Sequence, residues 1–171
     1  MKGPTCSLCQ MPKATAACGL CQGPVCKKCL EKLPEGHFSL LAKVPPELSH
    51  RIYCGRCFDA QIASKLQAYD VQVEQAKAVF VFYRRQGEET RLMKRTEAPI
   101  TVTHTDRSQA LMSMAYAAVQ GGFNTLVDVE IKSEKLHNTS GYQTTKWTGI
   151  GTPTLVDPAQ IHKREAGRAN P

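Results

Sequence analysis

Eight cysteines, at positions 6, 9, 18, 21, 26, 29, 54 and 57, are the residues whose type and spacing promise chemistry. They form four C-x-x-C pairs, CSLC, CGLC, CKKC and CGRC, with gaps of eight, four and twenty-four residues between them. A C-x-x-C turn lets two thiolates reach one metal ion, and a closed structural zinc site takes four ligands. Four such turns supply two four-cysteine sites, two Zn2+ per chain, with no ligand left over. The alternative is a disulfide framework, for which eight cysteines admit 105 connectivities. That framework needs an oxidising compartment. The N-terminal MKGPTCSLCQ lacks the apolar stretch of a secretory signal, so the expected setting is the reducing cytoplasm. A thioredoxin-like redox site joins one C-x-x-C to a βαβ pattern, which four pairs within 52 residues do not resemble.

Energetics favour metal as well. Between Cys6 and Cys57 there are only thirteen Leu, Ile, Val, Met, Phe and Tyr residues. So small a segment does not build a self-sufficient core and needs staples. Structural zinc contributes on the order of 10–16 kcal/mol per site in finger peptides, so metal becomes a condition of folding. Which pairs share an ion is a separate question. Four residues between Cys21 and Cys26 are too few to wrap those two turns comfortably around one ion. That leaves a sequential arrangement (first with second, third with fourth) or an interleaved one (first with third, second with fourth).

The segments CGLCQGPVCKKC and RIYCGRCF resemble the FYVE zinc-finger group. The resemblance covers about a third of the chain. It implies a cross-brace, with Cys6, Cys9, Cys26 and Cys29 on one zinc and Cys18, Cys21, Cys54 and Cys57 on the other. RING fingers share that topology but usually place His among the middle ligands and have a shorter gap before the fifth. FYVE domains that bind phosphatidylinositol 3-phosphate carry a basic Arg/His cluster running into the fifth cysteine. Here that stretch is Gln22-Gly23-Pro24-Val25, and the early Trp-containing motif is absent too. The resemblance therefore implies fold and zinc coordination without the lipid site.

The elements that must hold these cysteines are sparse. From 30 to 53, Pro34, Gly36 and Pro45-Pro46 mark turns, while Phe38, Leu40, Leu41 and Val44 are candidates to pack over the metal sites. His37 and His50 read as surface or capping residues, because thiolates already close both sites. The stretch 58–77 has no Pro or Gly, and Ile62, Leu66, Tyr69, Val73 and Ala76 form an apolar stripe at helical spacing. The spacing predicts an amphipathic helix over 60–77 that connects a zinc-binding domain, 1–59, to a second domain, 78–157.

In the second domain the period becomes two. Val79, Val81 and Tyr83 fall on one face of a strand, with Phe80 and Phe82 on the other, as in a strand covered on both sides. Arg91–Thr103 reads as extended, with Pro99 limiting pairing. Asp106 and Gln109 make a capping-box-like helix start, Ala110, Leu111, Met114, Ala118 and Val119 form the apolar face, and Gly121-Gly122 stops it. Val127, Val129 and Ile131 alternate with Asp128, Glu130 and Lys132, as in a half-buried strand, and Tyr142–Thr152 is its partner. The order βαββ predicts an α+β fold, one helix packed on an antiparallel sheet. The segments GGFNTLVDVEIKS and YQTTKWTGIGTPTLVD resemble the YbjQ-like family of small bacterial proteins, over about Asp106–Asp157. That resemblance implies ring assembly, hence a homo-oligomer through this domain. The family's heavy-metal label does not carry over, since the region has no Cys and His104 and His137 are isolated in sequence. The polar tail 158–171, with its His162-Lys163-Arg164 cluster, reads as disordered.

No catalytic constellation emerges. Ser113, His104 and Asp106 make a triad only by enumeration, and no G-x-x-x-x-G-K or G-x-G-x-x-G phosphate loop exists. Asp128 and Glu130 read as solvent-facing strand carboxylates. The uncharged run Ser108–Val127 is too polar for a membrane span. The expected function is non-enzymatic recognition as an adaptor. In it, Lys27, Lys28, Lys43 and Arg56 meet an acidic protein partner, and oligomerisation adds weak contacts through avidity. Anionic-lipid recruitment and nucleic-acid binding are the alternatives. The formal charge is +7, but coordinated thiols are deprotonated, and eight thiolates with two dications bring the chain near +3. Much of the apparent basicity therefore belongs to the metal-free chain. Chelation should unfold residues 1–59, seen as loss of chemical-shift dispersion; a zinc content well below two per chain would refute the assignment.

Overall fold

The computed structural model describes residues 4–86, 90–91, 93–137, 143–159 and 161. Two compact units divide the chain, Met1–Val71 and Gln72–Pro171. In the first, four short strands pair as two antiparallel hairpin-like sheets: β1 (Ala14–Ala17) with β2 (Pro24–Cys26), and β3 (Leu30–Lys32) with β4 (Ile52–Cys54). Register places Ala14 opposite Cys26 and Leu30 opposite Cys54, so each small sheet ends on a cysteine. A helical turn, α1 (Gly55–Cys57), and a π-helical turn, Phe58–Ile62, lead into α2 (Ala63–Lys77).

The stripe expected on this helix is the face it buries. Ile62, Tyr69 and Ala76 are buried and Leu66 and Val73 half-buried, whereas Asp70, Val71 and Glu74 are exposed. In the first unit Tyr69 meets Phe38 edge-on at 5.0 Å, and His37 Nε2 lies 3.1 Å from Asp70 Oδ1. In the second unit the Tyr116 hydroxyl donates to Gln72 Oε1 at 2.8 Å. The helix therefore contributes residues to both units.

The second unit is α+β, as expected, but its sheet is mixed. Its order is β5-β7-β8-β6, built from β5 (Phe80–Tyr83), β6 (Ile100–His104), β7 (Thr125–His137) and β8 (Gln143–Thr154). β7–β8 and β8–β6 are antiparallel; β5 joins β7 in parallel, which corrects the all-antiparallel expectation. The intervening helix α3 (Arg107–Gln120) supplies part of the crossover that a parallel pair requires. Asp106 caps α3 by accepting from the Gln109 N–H at 3.0 Å. At its other end, Phe123 N–H bonds Ala118 O and Gly122 N–H bonds Val119 O, both at 2.9 Å, with Gly122 at φ 81°. That is a Schellman ending, and glycine is the residue that enters the left-handed region without strain.

The alternation expected along β7 breaks at Asp128. Val127 faces Thr152 but Glu130 faces Ile150, so three steps on β7 match two on β8, and Asp128 adopts φ 54°. A bulge inverts side-chain parity. Val129 and Leu126 lie with Met114 around Gly151, while Val127, also buried, turns to the other face. Gly149 allows the closest approach of α3, since a Cβ there would lie 2.8 Å from Met114 Cε.

Arg95 holds the bulge. Its Nε and Nη2 donate to both Asp128 oxygens, the second at 3.1 Å, and its remaining donors reach Thr90 O and Met93 O at 3.1 Å and Thr90 Oγ1 at 2.9 Å. The extended segment expected over Arg91–Thr103 becomes regular strand only from Ile100. Beyond β8, Asn124 exchanges two hydrogen bonds with the Val156 backbone, and Ile161 is buried. Of the tail expected from 158, residues 160 and 162–171, with His162-Lys163-Arg164, lie outside the described residues. Among the described residues no helix is long and apolar enough to cross a membrane.

The Arg95 guanidinium, bonded to the carboxylate, holds Asp128 below the usual aspartate range. A depressed folded value stabilises above the unfolded pKa of about 3.9 and ceases to do so as pH falls through the folded value. Asp128→Asn should therefore lower stability at pH 7 and flatten the pH dependence of the second unit's denaturant midpoint below about pH 4. An unchanged acid limb would show that the pair contributes nothing.

Candidate metal centres

Each centre is assembled from two C-x-x-C turns that lie apart in sequence. The Sγ atoms of Cys6, Cys9, Cys26 and Cys29 lie within 4.8 Å of one another, as do those of Cys18, Cys21, Cys54 and Cys57. The first turn thus joins the third and the second joins the fourth: the arrangement is interleaved. Cys9 Sγ is 3.7 Å from Cys26 Sγ, and Cys21 Sγ is 3.9 Å from Cys54 Sγ. Four sulfurs at about 2.3 Å from one tetrahedral ion stand about 3.8 Å apart, so the spacing fits a metal. It is far from the roughly 2.05 Å of a disulfide, and all eight thiols are free.

The two centres share one hydrogen-bond frame. In the first, Cys6 N–H bonds Met11 O, Gln10 N–H bonds Cys6 O, and Ser7 N–H bonds Pro24 O, all at 2.8–2.9 Å. In the second, Cys18 N–H bonds Gly23 O, Gln22 N–H bonds Cys18 O, and Gly19 N–H bonds Ile52 O, at 2.9–3.0 Å. Gln10 and Gln22 both sit at φ 57°, directly after the second cysteine of each turn. The opening cysteine of each centre takes an amide from the strand that carries a partner cysteine: Cys26 N–H of β2 at 3.4 Å for Cys6, and Cys54 N–H of β4 for Cys18. This repeat is visible in the sequence only as the shared C-x-L-C-Q of CSLCQ and CGLCQ.

These amides set the thiols apart electrostatically. The Cys9 and Leu8 N–H groups draw Cys6 down to about 6. Burial opposes the same change at Cys18, but the Cys21, Cys54 and Leu20 amides bring it to about 6. The last cysteine of each centre moves the other way. Cys29 is pushed up to about 12, chiefly by Cys26, and Cys57 to about 12, chiefly by Cys54. Four thiolates this close repel, and a cation is what lets all four ionise together.

Lys27, Lys28, Lys43 and Arg56 are all exposed. Lys27 and Lys28 lie inside the third turn and Arg56 inside the fourth; Gly55 N–H bonds Cys29 O at 3.1 Å and joins those turns. No ion pair holds them among the described residues. Lys43 stands apart in the loop before Pro46, with no described contact to that group. His37 pairs with Asp70, and His50 packs over Gly19, neither near enough to complete a cluster with the thiols. The enumerated triad comes together in one pair only: Ser113 Oγ lies 2.8 Å from His104 Nε2, while Asp106 caps its helix. Asp128 pairs with Arg95, and Glu130 with Arg84 and Lys132, so these carboxylates are ion-paired rather than simply solvated. The Arg95 clamp and the Ser113–His104 bond carry no local sequence signal, since one joins a loop residue to β7 and the other joins helix α3 to the end of β6. No protein-family model, curated protein or solved structure matches this chain.

A Cβ on Gly19 would lie 2.3 Å from His50 Cγ. Gly19→Ala should cost about 1–3 kcal/mol by overpacking, read as a lower chelator concentration at half-unfolding. Ser7→Ala, at the equivalent place in the other centre, removes one hydrogen bond to Pro24 O and should cost no more than about 1 kcal/mol. Equal effects would show that the His50 contact is not specific.

Proposed function

We propose that this chain is a non-enzymatic, zinc-binding recognition protein of the cytoplasm. Its first unit is a FYVE-like cross-brace that presents a basic surface to an acidic protein partner. The observation that carries the reading is the pair of four-sulfur clusters, each with all its sulfurs within 4.8 Å of one another. Thiolate tetrahedra select zinc or iron among common metals, and a closed set of four cysteines suits structural zinc. Zinc in this reading holds the loops in place. In the first centre Cys6, Cys9, Cys26 and Cys29 would hold it; in the second, Cys18, Cys21, Cys54 and Cys57.

Recognition then falls to the turns themselves. Lys27, Lys28 and Arg56 are exposed on turns joined through Gly55 and Cys29. Each four-thiolate centre with a divalent ion carries two net negative charges, which the neighbouring cations offset, so a partner meets localised positive groups rather than a broad basic field. Lipid recruitment has weaker support because Gln22-Gly23-Pro24-Val25 offers no cation, and nucleic acid because the basic group is small. The second unit, read as YbjQ-like, serves as the oligomerising platform.

Native mass spectrometry of the untagged protein should report two zinc ions per chain and more than one chain per particle. Iron, or no metal, would overturn the zinc assignment, and a monomer the platform. Charge reversal at Lys27, Lys28 and Arg56 should lower affinity for a polyglutamate peptide at least about tenfold while leaving zinc content unchanged; an unaltered affinity would remove this surface from the proposal.

A further inference from the structure

The eight thiols are not equally reachable, and the differences repeat between centres. Cys6, Cys18, Cys26 and Cys54 are at most 6% exposed. Cys29 and Cys57 are half-buried. Cys9 and Cys21 alone among the eight are exposed, and they occupy equivalent places, as second cysteine of the opening turn in each centre. Each also has a buried sulfur in contact range, Cys26 at 3.7 Å from Cys9 and Cys54 at 3.9 Å from Cys21.

We propose that Cys9 and Cys21 are oxidation sites through which a hydroperoxide opens the two centres and unfolds the first unit. The inference rests on the metal reading above. The Cys9 thiolate attacks one peroxide oxygen: an S–O bond forms, the O–O bond breaks, and hydroxide leaves. The sulfur is oxidised by two electrons and the peroxide reduced by two. The Cys26 thiolate then attacks the Cys9 sulfur; an S–S bond forms, the S–O bond breaks, and a second hydroxide leaves. Two thiolates and one hydrogen peroxide thus give one disulfide and two hydroxides, and the centre loses two of four ligands together with its ion. Cys21 and Cys54 follow the same course. Burial of the other partner in each pair directs the first step to the exposed cysteine, since thiol oxidation follows access.

Closing each pair from contact to a bond of about 2.05 Å draws the opening turn toward its partner strand. The frame around Gln10 and Gln22, both already in the left-handed region, has to give. With neither ion held, so small a core does not persist. Thiol reduction reverses the chemistry, and zinc restores the fold.

The full chain, confirmed by native mass spectrometry to carry metal, is treated with hydrogen peroxide in steps. Released zinc is followed with a chromogenic chelator, and the remaining thiols are alkylated and mapped by peptide mass spectrometry. The expected result is about one zinc released per peroxide consumed by thiols, with disulfides Cys9–Cys26 and Cys21–Cys54 and recovery on adding dithiothreitol and zinc. Sulfoxide at the exposed Met11 provides an internal measure of peroxide access that frees no metal. First oxidation at any of the other six cysteines without Cys9 or Cys21, or zinc retained after both have reacted, would overturn the proposal. Protein that carries no metal before peroxide is added would instead overturn the zinc reading, and this proposal with it.

Discussion

Repulsion among thiolates is the constraint on which the first unit depends. Four sulfurs within 4.8 Å form a stable cluster of thiolates only with a cation between them, and the chain makes two such clusters from one crossed set of turns. The crossing has a structural consequence. Cys18 and Cys21 lie within the chain span of the first centre, and Cys26 and Cys29 lie within that of the second. Neither centre can be dismantled without loosening strands that hold the other. The buried residues around them, Val25, Leu33, Phe38, Leu48, Tyr53 and Ile62, are few and scattered along the span from 25 to 62. They are too few to form a self-sufficient core, which leaves the cysteine clusters to supply the cohesion that a larger core would provide elsewhere.

The second unit solves its packing problem by conventional means. Here helix α3 and the sheet bury Ala110, Met114, Leu126 and Val129, and absent side chains at Gly149 and Gly151 let the helix approach. A bulge then turns Val127 to the opposite face, and an arginine whose donors meet Asp128, Thr90 and Met93 fixes it. Such a clamp also joins a segment without regular structure to a central strand. A single short helix, α2, has to satisfy both kinds of architecture. The stripe of Ile62, Leu66, Tyr69, Val73 and Ala76 runs through the boundary between units, with Tyr69 against Phe38 on one side and Gln72 bonded to Tyr116 on the other.

What could be read beforehand follows from range. Cysteine spacing, helix periodicity, the Asp106 cap and the Gly121-Gly122 stop are local, and each appears where its residues place it. Cysteine pairing is not local; spacing left two arrangements open, and the long-range backbone bonds Ser7 N–H to Pro24 O and Gly19 N–H to Ile52 O bring each opening turn beside the strand that carries its partner cysteine. The bulge at Asp128 escaped because an alternating run reads identically with or without one extra residue. Parallel pairing of β5 escaped for a related reason: Phe80–Tyr83 has apolar residues for both faces whichever direction its neighbour runs. The basic residues sort the same way. Lys27, Lys28 and Arg56 lie on turns that one backbone bond, Gly55 N–H to Cys29 O, joins, whereas Lys43 lies in a loop whose sequence position says nothing of its neighbours.

The shared frame of the two centres bears on how such a small unit tolerates change. Equivalent backbone bonds are made by Ser7 and Gly19, by Gln10 and Gln22, and by Met11 O and Gly23 O, so the frame asks for main-chain groups and cysteines and little else. Side chains at those positions are free to differ. Ser7 has room to bond Pro24 O with its hydroxyl, but its counterpart must be glycine because His50 lies over it. The turns that close each centre differ in the same way, Lys27-Lys28 in one and Gly55-Arg56 in the other. A scaffold that rests on cysteines and backbone groups leaves its intervening side chains free to vary. Three of this chain's exposed cations, Lys27, Lys28 and Arg56, lie in those intervening places, so under the recognition proposed above a partner would read the surface of the turns.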